Sequence, residues 1–139
     1  MAPPMSGVLE TVLYFSFEDE TRRFYEEVMG MHLIGQARGR HLFFRAGSSV
    51  FLLFNAEATK KGTSLPAHGS TGQGHVCFLV PPSSYEGWKE HLAKNGIDVL
   101  QEVDWPSNTP EVPPSGSSFY FRDPSGNLLE IANADFWPR

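Results

Sequence analysis

The order of predicted secondary-structure elements occurs twice along this chain of 139 residues. In each half a strand is followed by a helix and then by three strands, which indicates a duplicated βαβββ unit. The residues agree with the repeat, since Phe43-Phe44-Arg45 lines up with Tyr120-Phe121-Arg122 and Met29-Gly30 lines up with Asn95-Gly96. The duplication predicts an α+β fold of two modules within one domain.

The first module is predicted over about residues 8–56. Its elements are a strand, a helix that begins with three acidic residues and ends before a glycine, and three further strands, at Leu9 to Phe17, Glu18 to Met29, Met31 to Ala37, His41 to Ala46 and Val50 to Asn55. The acidic first turn suits the positive N-terminal end of a helix, and Gly30 suits its C-terminal end. A linker without helix or strand is predicted for residues 57–74, where Gly, Ser, Thr and Lys replace apolar residues.

The second module is predicted over about residues 75–133. Its strand covers His75 to Val80, and the spacing of Ser83 and Glu86 is that of a capping box at the start of a helix that ends at Gly96. A strand is expected at Ile97 to Val103. The segment from Asp104 to Gly116 contains four prolines and no periodicity, so we expect a loop there, of a length that often accompanies function.

The last two strands are predicted with the clearest signals, over Ser118 to Ala132. An aromatic run precedes Asp123-Pro124-Ser125-Gly126, where Pro presets φ and Gly supplies a left-handed residue, so a tight turn is expected. The strand after it is apolar except for Glu130. A carboxylate in such a strand either lies at a solvated edge or binds a ligand.

Charge and composition exclude several classes of protein. The net charge is −5 and no basic run is present, which argues against binding to nucleic acid or to an anionic membrane surface. The single cysteine, Cys77, excludes an intramolecular disulfide and a thiolate zinc site. The N-terminal residues have no basic segment ahead of an apolar run, and Glu10 interrupts the first such run. We therefore expect a cytoplasmic protein.

Three stretches give the chain a resemblance to the vicinal oxygen chelate superfamily, which includes glyoxalase I, extradiol dioxygenases, fosfomycin-resistance thiol transferases and bleomycin-resistance proteins. They are FYEEVMGM at Phe24 to Met31, GHVCFLVP at Gly74 to Pro81 and FYFRDPSGNLLEIA at Phe119 to Ala132. The resemblance implies two βαβββ modules whose mixed sheet curls around a cleft, and a homodimer. It also implies a small-molecule substrate or ligand.

The resemblance further implies a metal site. Family members place ligands at the start of the first strand and on the last strand of each module, which here are the positions of Glu10, His75 and Glu130. With the two halves aligned without gaps, the fourth position falls on Leu53, which cannot bind a metal. A site of three ligands is therefore expected, with Glu130 also assigned to catalysis.

The chemistry of these residues supports the same expectation. Two carboxylates in partly dry surroundings cost several kcal/mol unless a cation or a proton compensates them. One His and two carboxylates suit Mn²⁺, Fe²⁺, Ni²⁺ or Zn²⁺ with open positions for a bidentate oxygen substrate. The alternative for Glu10 is a solvated residue at a strand start, and the alternative for His75 is an imidazole bonded to backbone or water.

Five residues are candidates for binding a substrate: Tyr14, His41, Cys77, Trp105 and Tyr120. Each has an alternative role, as a packed ring, a solvated rim residue or, for Cys77, a small core residue. Two functions remain open. The first is a metal-dependent isomerase, lyase, dioxygenase or thiol transferase acting on a molecule with neighbouring oxygens. The second is a metal-free protein that sequesters a small aromatic or hydrophobic compound.

Overall fold

The structure is a computed structural model that describes residues 1–105 and 115–138. The chain divides into two compact units, Met1–Gly72 and Gln73–Arg139, which we call the first and the second module. In the described part of the chain, no helix has the length and apolar character needed to cross a membrane.

The first module contains four strands and two helices. They are β1 (Glu10–Tyr14), α1 (Glu18–Arg23), which continues as a π-helix (Phe24–Val28), β2 (His32–Ala37), β3 (His41–Ala46), β4 (Ser49–Phe54) and α2 (Ala56–Thr59). The strand order in the sheet is β1-β4-β3-β2. The pair β1 and β4 is parallel, and the other two pairs are antiparallel.

The second module repeats this arrangement. It contains β5 (His75–Leu79), a 3-10 turn (Pro82–Ser84), α3 (Tyr85–Lys94), β6 (Gln101–Trp105), β7 (Gly116–Arg122) and β8 (Leu128–Ala132). The strand order is β5-β8-β7-β6, with a parallel pair of β5 and β8. The predicted α+β fold of two βαβββ modules is confirmed, with one four-stranded mixed sheet in each module.

One face of each sheet is buried against the helical side of its own module. In the first module the ring of Tyr25, which is fully buried, lies 5.7 Å from the ring of Phe44 and 5.2 Å from that of Phe51. In the second module the ring of Tyr85 lies 5.3 Å from that of Phe119. Because side chains alternate along a strand, the residues between these positions project from the opposite face, which we call the open face of each sheet.

Both helix ends predicted from glycine are confirmed. Gly30 has φ of 67° and Gly96 has φ of 73°, a conformation that L side chains adopt at a cost. After α3 the backbone N–H of Gly96 bonds to the carbonyl oxygen of Ala93, and that of Ile97 bonds to the carbonyl oxygen of Leu92 at 2.9 Å. This pair of bonds is a Schellman motif, which satisfies the last carbonyl groups of the helix.

The Schellman motif explains one wrong boundary. The strand predicted from Ile97 begins at Gln101, because the backbone of Ile97 closes the helix instead of pairing in the sheet. The strand also reaches Trp105, which had been placed in the proline-rich loop. Residues 106–114 of that predicted loop lie outside the described residues, and Gly116, its last predicted residue, is the first residue of β7.

Two other local predictions are corrected. Ser83 does not cap α3, because it lies inside the 3-10 turn that leads into the helix, and the N-cap residue Ser84 makes no side-chain cap hydrogen bond. Pro82 opens that turn, at a position where its missing N–H costs nothing. The linker predicted to lack any element contains the short helix α2, whose first turn is capped by the Asn55 side chain accepting from the N–H of Glu57 at 3.0 Å.

The strand pairing in the two sheets shows which residue of the first module is equivalent to Glu130, and it differs from the predicted one. In the second module Cys77, two residues after His75, lies opposite Glu130. In the first module Val12, two residues after Glu10, lies opposite Leu52. The equivalent of Glu130 is therefore Leu52, on the open face, and the predicted equivalent Leu53 is wrong by one residue.

The cause is the length of one turn. Four residues separate the paired residues Arg45 and Val50 in the first module, whereas five separate Arg122 and Leu128 in the second. An alignment without gaps is displaced by one residue beyond this point, and a displacement of one residue exchanges the two faces of a strand. Leu53 is fully buried. Since Leu52 also lacks a donor atom, the last strand of the first module still offers no metal ligand.

Candidate functional site

The open face of the second module brings Glu130 and His75 together. Glu130 is the third residue of β8 and is 6% exposed, and its Oε1 lies 3.2 Å from Nε2 of His75, the first residue of β5. The Nδ1 atom of His75 lies 2.9 Å from the carbonyl oxygen of Leu128. A carbonyl oxygen only accepts, so Nδ1 carries a hydrogen and donates it.

This tautomer gives the pair its chemistry. With the hydrogen on Nδ1, the Nε2 atom of neutral His75 presents a lone pair toward an acceptor-only carboxylate. Two acceptors at this distance repel each other unless a cation compensates them, and that cation is either a proton on Nε2 or a metal ion bound by both groups. Because Glu130 is buried, leaving it uncompensated costs several kcal/mol. His75 and Glu130 thus fit two adjacent positions of a divalent-metal site.

Two predicted substrate-binding residues flank Glu130 on the neighbouring strands. Cys77 lies opposite Glu130 on one side and Tyr120 on the other, and the Tyr120 ring lies 6.1 Å from that of His75. Partial burial of the thiol and the Glu130 carboxylate raise the pKa of Cys77 to about 12. Burial and Glu130 also raise the pKa of Tyr120. Both groups therefore stay protonated at neutral pH. We call His75, Cys77, Tyr120 and Glu130 the Glu130 cluster.

Cys77 is not a small core residue, which was the alternative to a role in substrate binding. The residue as a whole is exposed. Its strand β5 is at the edge of the sheet, and its side chain lies on the open face. Only the region around its sulfur is screened from water, where it lies beside Glu130.

The indole N–H of Trp105 is hydrogen-bonded within the second module. The indole Nε1 donates to Ser118 Oγ at 2.9 Å, and the ring stacks on Phe136 with centroids 5.1 Å apart. Phe136 of the C-terminal segment thus packs on the second module, whereas Trp137 is 75% exposed. The role of Trp105 in binding a substrate stays a prediction.

Glu10 lies in the other module. It is the first residue of β1, is exposed, and pairs with Val50 of β4. Within residues 1–105 and 115–138, no group of three or more His, Cys, Asp or Glu side chains is placed to hold a metal ion. The Glu130 cluster therefore brings together two of the three predicted ligands, and the assignment of all three to a metal site stays a prediction.

The open face of the first module carries aromatic rings and nitrogen groups around Phe54. The His41 ring stacks on Phe43 with centroids 4.0 Å apart and lies 5.9 Å from the Phe54 ring. The His68 ring lies 4.7 Å from the Phe54 ring, and its Nδ1 is hydrogen-bonded to the Tyr14 hydroxyl at 2.8 Å. The predicted residues Tyr14 and His41 are thus brought to one place.

Arg40 completes this group. The centre of its guanidinium lies 5.7 Å from the centroid of Phe54, and its Nη1 donates to His41 Nδ1 at 2.9 Å. Burial, followed by the charge of Arg40, lowers the pKa of His41. We define the Phe54 cluster by the six residues Tyr14, Arg40, His41, Phe43, Phe54 and His68.

Sequence reasoning missed His68 and Arg40. His68 lies in the predicted linker and returns to the sheet because its N–H bonds to the carbonyl oxygen of Thr59 at the end of α2. Arg40 follows the turn between β2 and β3, and its carbonyl oxygen accepts from the N–H of Asn55 after β4. Both placements depend on tertiary contacts, for which neither residue has a local pattern.

Comparison with known proteins identifies the family. The model of the Glyoxalase/Bleomycin resistance protein/Dioxygenase superfamily matches residues 10–131. The metallothiol transferase FosB of Shouchella clausii is 35% identical over 57 residues, which are 41% of this chain and 36% of that enzyme, so the match spans about a third of the length of FosB. The virulence protein STM3117 of Salmonella typhimurium is 30% identical over 122 residues, 87% of this chain and 79% of that protein.

Solved structures agree with this result. A lactoylglutathione lyase from Agrobacterium tumefaciens has a TM-score of 0.87 and 30% identity, covering 99% of this chain and 100% of that one. A mutant of the fosfomycin resistance protein FosX of Listeria monocytogenes, complexed with Mn(II) and a dihydroxypropylphosphonic acid, shares the fold, with a TM-score of 0.67 and 19% identity over 95% and 93% of the two chains. The chain therefore belongs to the glyoxalase/bleomycin resistance protein/dioxygenase superfamily.

Proposed function

We propose that this protein is a divalent-metal-dependent enzyme that acts on a small molecule with neighbouring oxygen atoms. The observation that carries the proposal is the pair of acceptors formed by His75 Nε2 and the buried carboxylate of Glu130, 3.2 Å apart. His75 and Glu130 would hold a divalent cation, which would compensate both groups at once. Glu10 is proposed as the third protein ligand.

The residues of the Glu130 cluster have separate roles in this proposal. A bound divalent ion would supply Lewis-acid stabilisation of an oxyanion or enolate on the substrate. The hydrogen bond from His75 Nδ1 to Leu128 fixes the ring so that Nε2 is directed at the site. Tyr120 and Cys77 stay protonated, so they are suited to donating hydrogen bonds to a carboxylate or substrate oxygen, and Cys77 is unsuited to act as a nucleophile.

Relatives support the class of reaction without selecting one. FosB is named a metallothiol transferase, and the related structure from Agrobacterium is named a lactoylglutathione lyase. Leu52, at the position equivalent to Glu130, favours three protein ligands over four. The proposal therefore covers lyase, isomerase, dioxygenase and thiol transferase chemistry.

The test is the metal content of protein purified without chelator. We expect about one Mn, Fe, Ni or Zn per chain, lost in His75→Ala and Glu130→Gln and reduced in Glu10→Gln. His32→Ala and Glu20→Gln are matched controls, since both residues are exposed and lie away from the cluster in sequence and module. Absence of metal, together with no change in melting temperature on adding any of these ions, would overturn the proposal.

The second candidate is a metal-free protein that binds and sequesters a small aromatic compound. Two observations favour it: the described residues hold no group of three metal ligands, and five aromatic or basic side chains gather around Phe54. Tight binding of an aromatic ligand by protein that contains no metal and responds to none would favour this candidate.

A further inference from the structure

The Phe54 cluster contains a cation without an anionic partner. Arg40 is half-buried, and its side chain contacts a neutral acceptor, His41 Nδ1, and the face of the Phe54 ring. Among the residues that the structure describes, it makes no ion pair with a carboxylate. This differs from Arg22 and Arg38, which pair with Glu26 and with Glu18 and Asp19. A guanidinium has five N–H donors, so most of those on Arg40 remain available.

Two imidazoles add donors beside Arg40. In His41 the Nδ1 atom accepts from Arg40, which leaves the hydrogen of the neutral ring on Nε2. In His68 the Nδ1 atom is bonded to the Tyr14 hydroxyl, and when that hydroxyl donates, Nε2 again carries the hydrogen. Both rings lie close to the Phe54 centroid, at 5.9 and 4.7 Å, and the Arg40 guanidinium lies 5.7 Å from it. Three donor groups thus surround one ring, with no carboxylate among them in the described part of the chain.

The same cluster presents flat apolar surface. The His41 and Phe43 rings are almost parallel, with an interplanar angle of 7°, and Phe43 meets Phe54 edge to face at 5.4 Å. Such rings stack on a further planar ring with a gain of about 0.5–1.5 kcal/mol beyond the area that they bury. The carboxylate on this open face, Glu10, starts β1 four residues before Tyr14, a separation of about 13 Å along an extended strand. It therefore does not neutralise Arg40.

We propose that the Phe54 cluster is a binding site for a small planar aromatic carboxylate. The aromatic ring packs against the half-buried ring of Phe43, whereas Phe54 is 7% exposed and lies beneath the surrounding side chains. The carboxylate accepts from the Arg40 guanidinium and from the Nε2–H groups of His41 and His68. A carboxylate matches the planar fork of arginine and supplies the negative charge that the cluster lacks. The site uses no residue of the Glu130 cluster, so it stands independently of the proposed metal-dependent function, and it deepens the second candidate function by naming the class of ligand.

The test compares four probes with purified protein in buffer that contains a chelator. Benzoate has both the ring and the charge, benzamide lacks the charge, cyclohexanecarboxylate lacks the flat ring, and acetate lacks the ring. We expect saturable binding of benzoate by calorimetry, at least about tenfold weaker binding of benzamide and acetate, and weaker binding of cyclohexanecarboxylate. Equal affinity for benzoate and benzamide, or no saturable binding of benzoate at about 10 mM, would overturn the proposal.

Variants locate the site. Arg40→Gln should weaken benzoate binding by about tenfold or more, because it removes charge-assisted hydrogen bonds. Arg45→Gln is the matched control, since it removes one positive charge from the other end of β3, where Arg45 is exposed. Equal losses in the two variants would indicate a general charge effect and contradict the assignment. Because the chelator removes metal, a failure here leaves the metal proposal intact, and a failure of the metal proposal leaves this result intact.

Discussion

Cys77 and Glu130 lie directly opposite each other on the parallel strands β5 and β8, with both side chains on the open face of the second module. The carboxylate faces a thiol that is partly screened from water, and the charged form of either group disfavours the charged form of the other. The thiol therefore keeps its proton over the physiological pH range.

The reactivity of Cys77 follows from this pair. With its pKa raised from 9.0 to about 12, the thiolate fraction at pH 8 is about a thousandfold below that of an ordinary thiol. Alkylation of the folded protein by iodoacetamide, in the presence of a chelator, should be correspondingly slow and should speed up in Glu130→Gln. The chain unfolded in urea is the control. A folded protein that is alkylated as fast as the unfolded chain would contradict the expectation.

His41 should titrate below the ordinary range of histidine. Burial and the charge of Arg40 lower its pKa from 6.5, so the ring becomes protonated in the folded state only at a lower pH. The unfolded state then binds more protons as pH falls through 6.5, and the free energy of unfolding decreases there because of His41. The measurement is an NMR titration of the imidazole. Arg40→Gln should raise the midpoint, Arg45→Gln should not, and an unchanged midpoint in Arg40→Gln would contradict the role of its charge.

Among the residues of the turn before β8, we expect substitution of Asp123 to lower the free energy of unfolding the most. Its Oδ1 accepts from the N–H groups of Ser125 and Asn127, both at 2.9 Å, and its Oδ2 accepts from Asn127 Nδ2 at 3.0 Å. Asn127 Oδ1 in turn accepts from the N–H of Gly74, next to His75. Asp123→Ala leaves buried donors unsatisfied, with an expected loss of about 2–4 kcal/mol in the free energy of unfolding. Denaturant titration measures this loss.

Asp123→Asn is the matched comparison, since it keeps one acceptor oxygen and the shape of the side chain. It should lose less stability than Asp123→Ala. If metal is bound, Asp123→Ala should also weaken metal binding, since the turn and Gly74 hold both strands that carry His75 and Glu130. A loss under about 1 kcal/mol in Asp123→Ala would show that the turn does not depend on this carboxylate.

Substitution of Leu53 should lower the stability of the protein without changing its metal content. It is fully buried, on the face of β4 opposite to that of Leu52. Leu53→Ala should therefore cost about 2–5 kcal/mol through the cavity that it leaves, while metal content stays as in the unaltered protein. Thermal unfolding and metal analysis on the same samples check both parts. Lost metal in a Leu53→Ala variant that remains folded would contradict the placement.

The elements predicted correctly depend on local chemistry. Gly30 and Gly96 end their helices because the next backbone conformation requires a left-handed residue. The turn after Arg122 forms where Pro and Gly preset its dihedral angles. Glu130 stood out because it is the charged residue of an apolar strand.

The elements that were missed depend on information from outside the local segment. The Schellman bond of Ile97 to Leu92 delays the start of β6, and a pattern of apolar residues does not report it. The sequence prediction named Leu53 instead of Leu52 as the equivalent of Glu130, because an alignment without gaps could not detect one additional residue in a turn. His68 reaches Tyr14 over 54 positions of sequence, through a bend that only the folded chain reveals.

The five residues between Arg122 and Leu128 have a consequence for the evolution of the duplicated module. Surface turns commonly accept insertions and deletions, but removal of one residue here would turn Glu130 toward the helix and expose Leu129 and Ile131. We therefore expect a change in the length of this turn to be tolerated only where the carboxylate is not needed. The turn after Arg45 is one residue shorter, in the module where Leu52 stands at the position equivalent to Glu130.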